Sequence, residues 1–321
     1  MTAKPSNDTY IRPKDIDNRS TCWQRVLWRL ETLAWDLVYW GPMKALSPDR
    51  ASDFVGWLFK KIGPRMSQHK TVLRNLKLAF PDMPEPERER IAMASWESVG
   101  RTAGELPHLP SLDPYNGDRV KIVGGEHLDA AMAANKGLVL VSGHFANFEV
   151  MAAAICNRPV DCLVTYRALN NPHIDRRLSK VRQDYGIGTL APKGLGTRML
   201  MRALREKRAI ALMNDQKFNE GLPMEFFGHD AMTAPGPSRL AMKYGSPIVF
   251  VTTRRTAPAR FTVTFHAPFY PPSTGNIDDD LTTCVETITG MVEAEVRANP
   301  EQWFWQHRRW PKEAWKAAGI T

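Results

Sequence analysis

A histidine leaving an apolar run, with a carboxylate five residues on, has the parts needed to take a proton from a hydroxyl. Here Gly137-Leu-Val-Leu-Val141 leads into Ser142-Gly143-His144-Phe-Ala-Asn-Phe-Glu149. In one continuous helix, residues five apart lie about 140° apart around the axis and meet poorly. A turn over Gly143 to Ala146, with Glu149 opening the next helix, lets the carboxylate hold one imidazole nitrogen while the other faces a substrate. Glu149 would then favour the useful tautomer and stabilise the imidazolium that forms. An ordinary histidine pKa of about 6.5 suits that duty near neutrality. A surface histidine beside a helix-start glutamate is also a common arrangement with no chemistry attached.

Few other chemistries compete. The chain has no GxSxG, GxxxxGK[ST] or HExxH, and no GxGxxG between a strand and a helix; serine hydrolysis, P-loop nucleotide use and zinc proteolysis lose their support. Cys22, Cys156, Cys162 and Cys284 form no CxxC pair and no metal-ligand spacing, so neither a disulfide framework nor a metal site is signalled. No metal or nucleotide cofactor is expected. Asn214-Asp215-Gln216 follows another apolar run, where an aspartate is often only a turn former. Between Arg167 and Arg208 stand eleven basic residues against three acidic ones, and this holds most of the excess behind the net charge of +9. Such a patch attracts phosphates, an anionic leaflet or an acidic protein, or it is simply two solvated helix faces. Nucleic acid is not expected, because only Tyr185 interleaves the cations as a stacking surface.

The positions of these residues depend on alternating strands and helices. From about residue 120, short apolar runs predict strands over Val120–Val123, Gly137–Ser142, Val160–Tyr166, Ala209–Met213, Pro247–Thr253 and Phe261–Phe265. Between or after them, helices are predicted over Glu126–Ala134, Asn147–Cys156, His173–Tyr185, Leu195–Glu206, Ser238–Tyr244 and Leu281–Ala298. This is an α/β pattern. Several strands must run parallel, and ligands then sit beyond their carboxyl ends. A length of 321 residues with 43% hydrophobic and 24% charged content fits one large domain or two smaller ones, and not disorder.

The amino-terminal region reads differently. Residues 1–20 are polar and predict a tail with no signal-peptide pattern, so secretion is not expected. From Trp23 to Trp40 apolar residues recur at helical spacing with Trp23, Trp28, Trp35 and Trp40 among them, interrupted by Arg25, Arg29, Glu31 and Asp36. Those charges argue against a membrane-spanning helix. With a second amphipathic piece, Phe54–Ile62, they suit residues 21–66 to lying on a membrane surface, or equally to packing on the adjoining domain, residues 67–321. The stretch Met224 to Gly228 with Thr233 to Pro237 reads as a core loop or a pocket wall. Asn299 to Trp310 mixes indoles with cations, as at a lipid interface or in cation–π packing on the protein itself.

Several separated motifs, in order, resemble the late acyltransferases of lipid A biosynthesis, the lauroyl/myristoyl transferases of Gram-negative bacteria. They are Asn75-Leu-Lys-Leu-Ala-Phe-Pro81, Trp96-Glu-Ser-Val-Gly100, His144-x4-Glu149, Tyr166-Arg167 with Asn171-Pro172, Asp175 and Arg182, Asp215-Gln216, Phe226-Phe227-Gly228 with Thr233, Pro300-Glu-Gln-Trp303 and His307-Arg-Arg-Trp310. The resemblance implies a central mixed, largely parallel sheet flanked by helices, as in glycerolipid acyltransferases. It also implies transfer of a fatty acyl group from acyl carrier protein to a hydroxyl on a hydroxyacyl chain of a lipid A precursor, at the cytoplasmic face of the inner membrane. On that reading His144 is the base and Glu149 its orienting acid, with direct attack and no acyl-enzyme. Arg182 and, more weakly, Arg167 contact phosphate or oxyanion, while Asp215 matches a substrate-site carboxylate of unassigned role. Because the amino-terminal helix carries four charges where many relatives are uninterruptedly apolar, peripheral attachment is expected. The rival readings are an acyltransferase for another membrane glycolipid or aminolipid, and a catalytically silent membrane-binding protein.

Overall fold

The computed structural model describes residues 21–158, 160–192 and 196–320. The expected tail over residues 1–20, Lys193 of the basic segment and the expected helix start at Leu195 lie outside the described residues.

The chain begins with α1 (Cys22–Trp35), capped by Thr21, whose hydroxyl accepts from the Gln24 amide at 3.2 Å. A π-helical turn (Asp36–Trp40) joins it to the short α2 (Gly41–Ala45). Then come α3 (Pro48–Ile62), α4 (His69–Ala79) and α5 (Glu85–Glu105). Ser47 caps α3 and Pro48 opens it, a position where the missing N–H costs nothing. Small residues let α3 and α5 touch backbone to backbone: a Cβ at Gly104 would stand 2.3 Å from the Ala51 carbonyl. No described helix is long and apolar enough to cross a membrane.

The sheet follows through β1 (Val120–Val123), α6 (Gly125–Ala133), β2 (Leu138–Ser142), α7 (Phe148–Cys156), β3 (Cys162–Tyr166), α8 (Pro172–Asp184), β4 (Thr189–Pro192), α9 (Gly196–Arg205) and β5 (Ala209–Met213). After a hairpin of β6 (Leu222–Phe226) and β7 (His229–Thr233) come α10 (Gly236–Tyr244), β8 (Ile248–Ala257), β9 (Arg260–Phe265), α11 (Ile277–Ala298) and α12 (Lys312–Ala317). Seven strands form one mixed sheet in the order β1-β9-β8-β2-β5-β3-β4. Strands β8, β2, β5, β3 and β4 run parallel, while β9 is antiparallel to β8 and parallel to β1. The fold is therefore α/β with a largely parallel sheet, as expected.

Successive side chains of a strand point to opposite faces, and both faces are covered here. Leu138 and Leu140 pack under α6 and α7 with Val249, Val251 and Phe261. Val139 and Val141 face the other way, toward α4, α5, α9 and α11, with Phe250 and Trp303. Burial on both faces is why β2 reads as an unbroken apolar run rather than an alternating one.

The indole-rich carboxyl-terminal segment belongs to this second layer. Trp303, Trp305 and Trp310 are buried, and the Arg309 guanidinium lies 5.0 Å from the Phe226 ring centre. Of its two readings, packing within the protein is the observed one. The hairpin β6–β7 buries Phe226 and Phe227 in the same layer, so that stretch is core rather than pocket wall.

Candidate active site

Strands β2 and β5 are adjacent and parallel, with Ser142 paired to Met213. The residues just past their carboxyl ends therefore emerge side by side, which brings Asp215 beside His144 although 71 positions separate them. Asp215 Oδ1 lies 2.7 Å from His144 Nδ1, and Oδ2 accepts from the His144 backbone N–H at 2.7 Å and from Trp303 Nε1–H at 2.8 Å. Asp215 is buried, whereas 21% of the His144 side chain is exposed. With Nδ1 committed to the aspartate, Nε2 is the nitrogen left for a substrate.

The electrostatics follow from this geometry. Burial pushes the His144 imidazole down, but the facing carboxylate outweighs it and holds the pKa above the ordinary histidine value. Burial likewise pushes the Asp215 carboxyl up, and His144 together with the donated hydrogen bonds overrides it, keeping the acid well below the usual carboxylate range. Asp215 is an anion throughout the working pH range, and it fixes the imidazole proton on Nδ1.

The expected partnership of His144 with Glu149 is corrected here: the acid on the imidazole is Asp215. Asn147 caps α7 by accepting from the Glu149 amide at 3.1 Å, and the helix start aims Glu149 toward α8. There its carboxylate is gripped by Arg182, with Nε 2.9 Å from Oε2 and Nη2 on Oε1. Burial lowers the Arg182 pKa and Glu149 more than restores it, so it stands above the ordinary arginine value. The bond pattern leaves Nη1 of Arg182 uncommitted among the described residues.

Four of the five expected site residues line one cavity. His144, Glu149, Arg182 and Arg167 line a cavity of about 260 Å³ whose remaining wall is mostly apolar, including Leu140, Met151, Ile155, Leu190 and Val251. It runs inward between the sheet and α7. Asp215 stands behind His144 rather than in the lining. Asp175 takes a structural part: its Oδ1 accepts from the Leu169 amide at 2.8 Å.

Sequence reasoning missed the support beneath this site. Glu105 is fully buried and accepts from Arg255 Nε at 3.0 Å and Nη2 at 2.8 Å, from Ser52 Oγ at 2.8 Å and from Asn147 Nδ2 at 2.9 Å. The Arg255 backbone exchanges two hydrogen bonds with the Gln302 side chain, and the Gln302 carbonyl accepts from the Ala146 amide at 2.8 Å. Ala146 has φ 42°, a left-handed conformation that a non-glycine residue holds only when its surroundings enforce it. Thr102 completes the enforcement by donating to the Ala146 carbonyl at 3.0 Å. Gly143 is needed for space, because a Cβ there would lie 2.8 Å from the Phe145 ring. Motif residue Asn75 likewise serves position, donating to the Trp305 and His307 carbonyls at 3.0 and 2.8 Å. His307, pushed down to about 4 by burial, stays neutral, and its Nε2 accepts from the Lys217 amide at 3.2 Å.

Fold and site together describe an α/β protein that presents a carboxylate-held imidazole at the mouth of an apolar cavity. The family model for bacterial lipid A biosynthesis acyltransferase matches residues 19–312, and the chain belongs to that family. The lipid A biosynthesis lauroyltransferase of Escherichia coli (strain K12) is 28% identical over 249 residues, 75% of this chain and 78% of that one. A phosphatidylinositol mannoside acyltransferase of Mycobacterium tuberculosis (strain CDC 1551 / Oshkosh) is also 28% identical, over 199 residues, 60% of this chain and 61% of that one. Among solved structures, the 1-acyl-sn-glycerophosphate acyltransferase PlsC of Thermotoga maritima aligns with 77% of this chain and 99% of its own, at TM-score 0.37 and 11% identity. The fold class rests on the strand order, not on that likeness. The protein is an acyltransferase of the lipid A type.

Proposed function

We propose that this protein transfers a fatty acyl group from an acyl carrier protein thioester to a hydroxyl on a hydroxyacyl chain of a lipid A precursor. The observation that carries the reading is the His144–Asp215 pair at the mouth of the apolar cavity. His144 Nε2 accepts the acceptor hydroxyl proton as the oxygen attacks the thioester carbonyl. The tetrahedral intermediate then collapses, the C–S bond breaks, and the imidazolium returns the proton to the departing thiolate. The attack is direct, with no acyl-enzyme. Asp215 orients the base and stabilises its charged form. Arg182, kept cationic by Glu149, offers Nη1 to the developing oxyanion or to an acceptor phosphate. Arg167 stands at the same opening as a weaker phosphate contact. The apolar wall takes the acyl chain, where each methylene contributes about 0.8 kcal/mol.

The working place is the cytoplasmic face of the inner membrane, with peripheral attachment. Exposed apolar side chains on α1 and its continuation, among them Trp23 (70% exposed), Leu37 (68%) and Val38 (78%), support it, with Phe54 and Trp57 of α3. Such a stripe on charged helices suits an interfacial position.

A second acceptor class, another membrane glycolipid, is favoured by one observation: the mannoside acyltransferase matches at the same 28% identity as the lauroyltransferase. Purified protein incubated with acyl carrier protein thioesters and either a tetra-acyl lipid A precursor or a phosphatidylinositol mannoside decides between them by product mass. A mass gain of one acyl group on the first acceptor is expected. A gain only on the second reassigns the substrate, and a gain on neither overturns the reading.

A further inference from the structure

Away from the catalytic cavity, a groove of about 590 Å³ lies between the α1–α2 region and α8. Its walls are strongly basic. Arg29 and Lys44 project from one side, and Arg176, Arg177 and Lys180 from the other. On α8 the spacing of positions 173, 176, 177, 180 and 184 makes one continuous face, whereas Arg182 leaves another face to reach Glu149.

The charges do not cancel. Arg177 pairs with Asp36, and Lys180 with Asp184 at 3.0 Å. Arg29, Lys44 and Arg176 have no ion-pair partner among the described residues, so the described lining of the groove keeps a net positive charge. Like charges held around a concavity repel one another unless an anion joins them. The groove also carries Trp40, whose indole suits the level of a polar headgroup.

Its surroundings select the kind of anion. The helix that supplies Arg29 also bears the exposed Trp23, Val26, Leu30 and Leu33. A molecule whose phosphate enters the groove can therefore lay its hydrocarbon along the same helix. We propose that this groove is a second ligand site, distinct from the cavity at His144, which seats the phosphate of a phosphorylated lipid headgroup. The choice of a lipid phosphate rests on reading the protein as an enzyme of membrane lipids. The site feeds or anchors; it takes no part in the acyl transfer step.

The test is the variant Arg29→Gln/Lys44→Gln/Arg176→Gln, compared with Lys77→Gln/Arg239→Gln/Lys243→Gln, which removes the same charge elsewhere. Partitioning onto phosphatidylcholine vesicles with and without 30% phosphatidylglycerol is measured, alongside KM for a phosphorylated acceptor and its dephosphorylated counterpart. Three surface cations near an anionic bilayer amount to about a 100-fold change in partitioning. The proposal expects the groove variant to lose about that much on the anionic vesicles, or to raise KM for the phosphorylated acceptor alone by tenfold or more. The first result makes the occupant a bulk headgroup, and the second makes it the acceptor. Because the three side chains have no ion-pair partner among the described residues, the melting temperature should be unchanged; a variant that melts early is replaced by Arg176→Gln alone. Equal losses in both triple variants, no loss in either, or a rise only in KM for the acyl carrier protein overturns the proposal. Vesicle binding that falls as expected in a protein without acyl transfer would sink the functional reading and leave the site standing.

Discussion

Replacing Asp215 with asparagine should disable the enzyme by turning a ring tautomer, and the contacts show why. Oδ2 accepts two N–H donors, from the His144 backbone and the Trp303 indole, while Oδ1 faces only Nδ1 of His144. An asparagine must therefore place its single carbonyl oxygen at the Oδ2 position and point its NH2 at Nδ1. Nδ1 then becomes the acceptor, the proton moves to Nε2, and the nitrogen facing the cavity can no longer take a proton. General-base catalysis is worth about 10²- to 10⁴-fold, and a wrong tautomer of this kind costs about 10⁴-fold in serine proteases. We expect kcat to fall about 10³- to 10⁴-fold, about 4 to 5.5 kcal/mol at 1.36 kcal/mol per decade, with KM for the acceptor little changed. Initial rates across pH 5.5 to 9.5 supply a second readout. Because the carboxylate holds His144 above its ordinary pKa, the wild-type rate should rise with pH through a midpoint above about 6.5. In Asp215→Asn burial alone remains, and the midpoint should move below that value. The reasoning is refuted if Asp215→Asn retains more than a tenth of wild-type kcat, or if Glu149→Gln and not Asp215→Asn moves the midpoint.

Other expectations follow from the same contacts. Glu149→Gln leaves Arg182 without its counter-ion in a mostly buried place, and should lower stability by about 2 to 4 kcal/mol, read in urea melts. Glu105→Gln breaks the buried pair with Arg255 and should destabilise by about 3 to 5 kcal/mol; under folding conditions it should lower kcat more than it changes KM, because it loosens the loop carrying His144. His144→Gln should reduce stability more at pH 5.5 than at pH 9. A raised folded pKa contributes stability that is complete below the unfolded value and disappears as pH rises through the folded one. Thermal midpoints at the two pH values check the sign. Ala152→Leu puts three carbons into the apolar wall and should shift the preferred acyl donor to a shorter chain, at about fourfold in kcat/KM per methylene excluded, read by competition between donors.

The sequence exposed the base but misidentified its partner. His144 stood out because an unbroken apolar run ending in Ser-Gly-His marks the carboxyl end of a strand buried on both faces. Glu149 was linked to it by proximity along the chain, the only measure of distance a single sequence offers. Asp215 comes from the neighbouring parallel strand, and its alignment with His144 is set by the β2–β5 register, which no local pattern encodes. Glu105 and Arg255 were invisible for the same reason, since 150 positions separate them. Two further elements lacked the usual signals. The β6–β7 turn uses Phe227 and Gly228, both at positive φ, where Asn-Gly is the common signature. Strand β4 is a short edge strand that ends in Pro192, and proline weakens any reading as strand. Trp303 was legible as part of a motif but not as a donor to Asp215, because its indole N–H finds that carboxylate only when the carboxyl-terminal segment folds against the loop after β2.

The most direct test of the account is a single-turnover experiment with radiolabelled acyl donor on the enzyme-bound acceptor, comparing wild type with His144→Gln, whose side-chain amide can still donate to Asp215. Labelled lipid from the wild type, no label on the enzyme itself at any time, and a rate at least 100-fold lower in the variant are expected. A variant rate within tenfold of wild type, or label passing through a covalent adduct of the enzyme, would contradict the account.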